Sequence, residues 1–304
     1  MNRKYFAITI VMFLGLFSAQ AQTPVWQGKG RIMVSSDGNE HDHDDWAATP
    51  LSLALLSAAG LQDKLVLYTY SDHIWGSNQD HPTSPSGLNS YQHMRESALR
   101  GGEYFGFSNT KFICAVDNAE VAYKSVSDEI NKSDADNPLI IVAAGPMQVV
   151  GEGIYRADKE KRQFVTIISH SNWNNRHADN PSKQYWDVHS GWTFGEIQDE
   201  FGNVDGGNLN CIQILDQNGG DDYDGLNTDI EKFDWIKTSL ARNNKYYKKG
   251  AWAWLYERQE TCIKNKGKNF DPSDAGMIIY LLTGVEKTNP DMARVIMENP
   301  VIKE

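Results

Sequence analysis

Six short runs rich in aliphatic and β-branched residues recur along the chain, at 31–36 (RIMVSS), 64–70 (KLVLYTY), 111–116 (KFICAV), 138–144 (PLIIVAA), 163–169 (QFVTIIS) and 210–215 (NCIQIL). Between them lie segments of helical period at 46–59, 88–100, 119–132 and 146–157. Strand-like runs that alternate with helical ones are the pattern of a largely parallel sheet with helices on its faces. Pro146 heads its segment, and a proline suits a first helical turn, where its missing N–H costs nothing. After Leu215 the pattern turns mostly helical, through 229–242, 251–264 and 273–282. The expected fold is therefore α/β, with a mostly parallel sheet flanked by helices, a Rossmann-like core and a helical C-terminal part. No repeat of 20–50 residues is visible.

The chain has 304 residues, and the first of them read as a removable leader rather than as fold. Arg3 and Lys4 precede an apolar run over 5–17, and Ala19-Gln20-Ala21 supplies a small-residue cleavage site. Cleavage after Ala21 leaves residues 22–304 as one α/β domain, periplasmic or secreted. The net charge of −11 becomes still more negative when Arg3 and Lys4 are lost. Phosphate binding needs clustered Lys and Arg, so nucleic acid is excluded as a partner, and an anionic membrane surface with it. No second apolar run approaches the roughly 20 residues of a spanning helix. Apolar residues make up 40% of the chain, enough for a sizeable core and against general disorder. Cys114, Cys211 and Cys262 are too few for a disulfide framework, and the spacing leaves any pairing open.

Two long irregular stretches, 71–86 and 170–207, begin at the carboxyl ends of predicted strands, the edge at which open α/β sheets bind ligands. The densest chemistry follows the first strand: Asp37-Gly38-Asn39-Glu40-His41-Asp42-His43-Asp44-Asp45 holds four Asp and one Glu in nine residues. Such a loop is either solvated, with Asp44 and Asp45 favouring a helix N-terminus, or neutralised by a cation on several carboxylate oxygens. Oxygen ligands favour calcium or magnesium, and the interleaved His41 and His43 keep zinc in consideration. The His-x-His-x-Asp-His signature of binuclear zinc hydrolases is incomplete, because Trp46 stands where its last His belongs. An EF-hand fits poorly, with Asp42 at its glycine position and Ala48 at its glutamate position.

The chain resembles the inosine–uridine-type nucleoside hydrolases, and more closely their secreted nucleoside-hydrolase-like relatives. Those proteins carry a strand ending in Asp, a short loop and an Asp-Asp pair opening a helix; Val34-Ser35-Ser36-Asp37, Asn39-Glu40 and Asp44-Asp45-Trp46 look like that arrangement with a longer loop. Residues 141–146 (IVAAGP) are similar to the family's strand that ends in Gly-Pro, where the position of Ala144 offers a backbone carbonyl to calcium. Residues 165–175 (VTIISHSNWNN) look like the strand and Asn-rich loop that hold sugar hydroxyls. Ser273-Asp274-Ala275 looks like the late His-Asp-Pro that supplies a last calcium ligand, with Ser273 in place of the His that protonates a leaving base in some members. The resemblance spans 31–282.

What the resemblance implies is a Ca-dependent glycosidase, in which metal-activated water attacks an N- or O-glycosidic bond of a small glycoside or oligosaccharide. Magnesium and zinc rank behind calcium. The implied metal ligands are Asp37, Asp44, Asp45, Asp274 and the Ala144 carbonyl, with Asp42 in reserve and Asp37 as general base; Asp271, which precedes a proline, competes with Asp274. His170 and His73, each just beyond a strand end, are the candidates for general acid. Asn172, Asn174 and Asn175 offer amides to hydroxyls, Asn39 and Glu40 are further sugar contacts, and Trp75 and Trp173 offer aromatic faces. Trp186 and Trp192 share those long stretches. The competing readings are a zinc-dependent hydrolase using the HDHDD loop and a non-catalytic carbohydrate-binding protein on the same fold.

Overall fold

The computed structural model describes residues 23–38, 43–74, 90–177, 191–202, 208–266 and 270–301. The predicted strands all form: β1 (Arg31–Ser36), β2 (Leu65–Tyr70), β3 (Lys111–Cys114), β4 (Leu139–Ala144), β5 (Val165–Ser169) and β6 (Asn210–Gln213). They build one sheet, parallel throughout, in the order β3-β2-β1-β4-β5-β6. Side chains alternate along a strand, so each strand feeds two cores. Ile32, Val34, Ile140 and Val142 enter one; Met33, Leu67, Ile141 and Ile167 enter the other.

The first core is closed by α1 (Asp45–Ala58), α2 (Ser90–Arg95), α3 (Gly101–Phe105) and the C-terminal helices. The second is closed by α4 (Ala119–Asn131), α5 (Gln148–Arg156) and, beyond α6 (Asn172–Arg176), by α7 (Phe194–Phe201). Then come α8 (Trp235–Thr238), α9 (Ala251–Lys266), α10 (Ala275–Thr283) and α11 (Pro290–Glu298).

Helix α1 carries apolar residues on every face, the pattern of a helix buried all round. All fourteen of its residues are buried, between the sheet and α9, α10 and α11. Pro50 sits inside it and cannot donate to the carbonyl of Trp46. The Ser97 hydroxyl, in a π-helical turn over Glu96–Arg100, donates to that carbonyl at 2.7 Å instead. A backbone acceptor lost to proline is thus satisfied from a neighbouring element.

Several expectations need correcting. The helix expected from Pro146 starts at Gln148, leaving Pro146 in the turn before it. The segment 229–242 breaks into two 3-10 turns around α8, because Ser239 turns its hydroxyl back to the N–H of Ala241 and interrupts the ladder. The stretch 170–207, expected to be irregular, contains α6 and α7. A capping box between Thr193 and Glu196 starts α7, and Asn289 with Pro290 starts the unanticipated α11. All four are local helix-start residues that the expectation of an irregular stretch and of a helical pattern ending at 282 did not include. Among the described residues no helix is long and apolar enough to cross a membrane. The leader read over 1–21 lies outside the described residues.

Candidate active site at the carboxyl edge of the sheet

The chain leaves β1 on one side, builds β2 and β3, and crosses to β4 on the other side. In such sheets the crevice beyond the carboxyl ends of the two strands at the switch is the ligand site. Here the two are β1 and β4, paired in register from Arg31 with Leu139 to Ser36 with Ala144. Asp37 follows β1 directly and Gly145 follows β4. The two are packed so closely that a Cβ on Gly145 would lie 3.0 Å from both the Cβ and the N of Asp37. Glycine is what lets the end of β4, with Ala144, come against Asp37.

The helix after β1 brings the next acids. Asp44 and Asp45 open α1 and are buried, and Ser36 donates to Asp45 Oδ1 at 2.6 Å. Asp37 is 1% exposed, Asp45 2% and Asp274, at the start of α10, 6%, so three carboxyl groups from three elements are withdrawn from water. Burial, the Asp37 and Asp274 carboxylates and a hydrogen bond with Asp37 push the Asp45 carboxyl well above its ordinary range. A cation among these oxygens would relieve both the repulsion and the desolvation. All are hard oxygen donors, which fits calcium or magnesium in kind. Among the described residues, no group of three or more His, Cys, Asp or Glu side chains is arranged to hold a metal ion. The reserve ligand Asp42 lies outside the described residues, as do Asn39, Glu40, His41, Trp75 and Trp186.

Asp274 and Asp271 separate in three dimensions. Asp271 accepts from the Ser273 N–H at 3.1 Å and from Asn227 at 2.8 Å, which shapes the turn into α10. Asp274 instead receives His170 Nε2 at 2.7 Å and Asn174 Nδ2 at 3.0 Å, both on Oδ1. His170 follows β5, is 1% exposed and accepts the Gln217 N–H on Nδ1 at 3.1 Å. Burial opposes a charge on this ring, but Asp216, whose Oδ1 is 3.5 Å from Nδ1, and Asp274 favour it more, and its pKa rises to about 9. With Nδ1 accepting from Gln217, Nε2 carries the proton that Asp274 accepts.

The Asn-rich segment divides its labour. Ser171 caps α6 with φ +67° and ψ +134°, a conformation that a residue with a side chain rarely holds. That corner turns Asn174 toward Asp274. Asn175 accepts from Ser169 Oγ at 2.6 Å, while its buried Nδ2 has no hydrogen-bond partner among the described residues. Asn172 is exposed.

A roof covers the crevice from both sides. His73, after β2, meets His177 edge-on at 4.6 Å between ring centroids, and His177 packs on Trp173 at 3.8 Å. β2 and β5 are separated by β1 and β4, so this contact spans the switch point. Burial and His73 push the His177 imidazole far below its usual pKa, which keeps that ring neutral. Beside the roof, Asp72 is fully buried and takes the hydroxyls of Ser35 and Thr69 on Oδ2. Burial outweighs both and raises its pKa to about 7. Asp72 was not anticipated; its signal was a carboxylate separated from the end of β2 only by Ser71.

Other side chains expected near a ligand are used elsewhere. Trp192 packs on α5 and α7, with its Nε1 donating to Glu152. His43 lies against Trp46, and Trp46 against His93, each pair at 4.3 Å. Burial, Arg258 and His43 lower the His93 pKa to about 4. Cys114, Cys211 and Cys262 are in no disulfide, and burial raises the thiols of Cys114 and Cys211 to about 11, away from reactive thiolates.

No protein-family profile matches the chain. It is 31% identical over 271 residues to the uncharacterized protein P22 of Formosa agariphila, an alignment covering 88% of each chain.

Proposed function

The chain belongs to the same family as protein P22 of Formosa agariphila, and from the site described above we propose that it is an exported, calcium-dependent glycosidase of nucleoside-hydrolase-like fold, hydrolysing an N- or O-glycosidic bond. The observation that carries this reading is that Asp37, Asp45 and Asp274 are all buried at the switch point, with the Asp45 carboxyl pushed up by burial and by the other two carboxylates. Calcium bound there would supply the charge that grips sugar hydroxyls and acidifies a water.

The chain's own residues take the remaining roles. Asp37, Asp44, Asp45, Asp274 and the Ala144 carbonyl are the holding groups, with Asp37 as the base that accepts the proton of the attacking water. Asn175 offers its unspent Nδ2 to a sugar hydroxyl, the kind of partner that a buried orphan donor requires. Trp173 lends its ring to the apolar face of the sugar. His170 is committed to Asp274 and Gln217, so His73, in the roof, is the better placed proton donor to the leaving group.

The test is hydrolysis of a panel of nucleosides and aryl glycosides by the mature chain. Turnover is expected, and is lost with a chelator and on Asp44→Ala. Full activity in both conditions sinks the proposal. A second reading, sugar binding without turnover, is favoured by Ser273: it fills the place of a proton-donating His, is 2% exposed and has its N–H tied to Asp271. Binding of a glycoside by calorimetry with no product from any of the panel selects that reading.

A further inference from the structure

Asp274 receives two donors, His170 Nε2 at 2.7 Å and Asn174 Nδ2 at 3.0 Å, and both fall on Oδ1. Among the described residues no donor reaches Oδ2. His170 is itself held: the Gln217 N–H meets Nδ1 at 3.1 Å. Gln217, fully buried, is pinned in turn. Its Nε2 donates to the carbonyls of Leu215 at 2.6 Å and Glu286 at 2.9 Å, and its Oε1 accepts from Thr288 Oγ1 at 2.7 Å. Gly276, in the first turn of α10, has no Cβ because one would lie 2.5 Å from Gln217 Oε1. The turn that carries Gln217 is therefore pressed against the helix that carries Asp274.

We infer that His170 and the Gln217 turn form a positioning relay that dedicates Asp274 Oδ1 to protein donors and presents Oδ2 to the ligand. His170 acts here through Asp274 and is a positioning residue. The physical reason is geometric. A carboxylate on a helix N-terminus rotates about its side-chain torsions, and two donors on one oxygen remove that freedom before a ligand arrives. The two donors come from the residue after β5 and from α6, and the Gln217 segment and Thr288 support the first of them from behind. Ser171, with its positive φ, is the corner that allows His170 and Asn174 to reach Asp274 together.

The inference rests on the reading of Asp274 as a ligand-facing carboxylate, and the experiment separates the two. Calcium alone is titrated calorimetrically into the mature chain, into His170→Leu, into His170→Gln and into Asp274→Ala, each checked for folding by its melting transition. Removing an outer partner of a metal-binding group costs about 10–100-fold in affinity, and that loss is expected for His170→Leu. His170→Gln keeps an N–H donor of similar reach and recovers most of the affinity. Wild-type affinity in folded His170→Leu, or a Gln variant as weak as the Leu one, overturns the relay.

A wild-type chain that takes up no calcium fails the functional proposal instead. Nuclear magnetic resonance of the wild type then decides the relay without any metal. The expected signal is a slowly exchanging His170 Nε2 proton, shifted downfield and altered by Asp274→Ala. A ring with no proton on Nε2, or a signal indifferent to Asp274, overturns the relay. This arm also serves if His170→Leu does not fold.

Discussion

Gly145 and Asp37 meet at the ends of two neighbouring strands, so close that a Cβ on the glycine would lie 3.0 Å from that of the aspartate. Gly145→Ala must push Asp37 away or bend the end of β4. Overpacking of this kind costs about 1–3 kcal/mol. The variant is expected to melt earlier than the wild type by that margin and to bind calcium more weakly. Unchanged melting and affinity would show that the two strand ends are looser than described.

Asp45→Asn should separate stability from function. Burial and the Asp37 and Asp274 carboxylates act together to disfavour its ionised form. An amide of the same shape removes that conflict while keeping an acceptor for Ser36. Without calcium the variant is expected to be more stable than the wild type by about 0.5–2 kcal/mol, as at other strained functional sites. With calcium the order reverses, since the wild type gains from binding and the variant does not. Denaturant unfolding with and without calcium measures both; a variant less stable than the wild type in calcium-free buffer contradicts this account.

Asp72 predicts a pH dependence. Its folded pKa of about 7 stands above the ordinary 3.8, so the folded state holds a proton that the unfolded chain releases. Stability from this group is therefore undiminished below about pH 4, falls as the pH rises toward 7, and is level above that. The full fall is about 4 kcal/mol, at 1.36 kcal/mol per unit. Asp72→Asn should gain on the wild type progressively between pH 4 and pH 7 when the two are unfolded in urea. A difference between them that does not vary with pH removes the basis for the prediction.

Ser97 and Pro50 are coupled through one carbonyl. Ser97 Oγ donates to the Trp46 carbonyl that Pro50 leaves unpaired, and it accepts from Arg258 Nε at 3.0 Å. Ser97→Ala strands a buried acceptor and a buried donor, at a cost of about 1–3 kcal/mol. Pro50→Ala restores the helical N–H to Trp46, so the double variant is expected to lose less than the sum of the two. A double-mutant cycle measures the coupling, and strict additivity would falsify the link.

Local chemistry made much of the molecule legible. Strand period, helical period and the Asp-rich loop depend on neighbours in sequence, and so 31–36 became β1 over Arg31–Ser36 and Asp44 and Asp45 came to open α1. The caps of α7 and α11, at Thr193, Glu196 and Asn289, are equally local, although neither helix was anticipated from them. The two-sided burial of the strands followed from their alternating side chains, since each face had to find a helical cover.

The partner of each polar group was not local. Asp271 and Asp274 are three residues apart and alike in sequence, yet one shapes a turn and the other receives a histidine from 104 residues away. Trp192 and Trp173 occupy the same long stretch, and only packing sent the first to α5 and the second to His177. His170 was readable as a residue at a strand end, but its bonds to Asp274 and Gln217 exist only because β5, α10 and the 216–227 turn meet. The sequence by itself determined the alternating elements and brought the carboxylates to the edge of the sheet. Which carboxylate faces which donor was decided by the tertiary structure, because burial makes every unpaired polar group costly and the close packing of distant segments selects its partner.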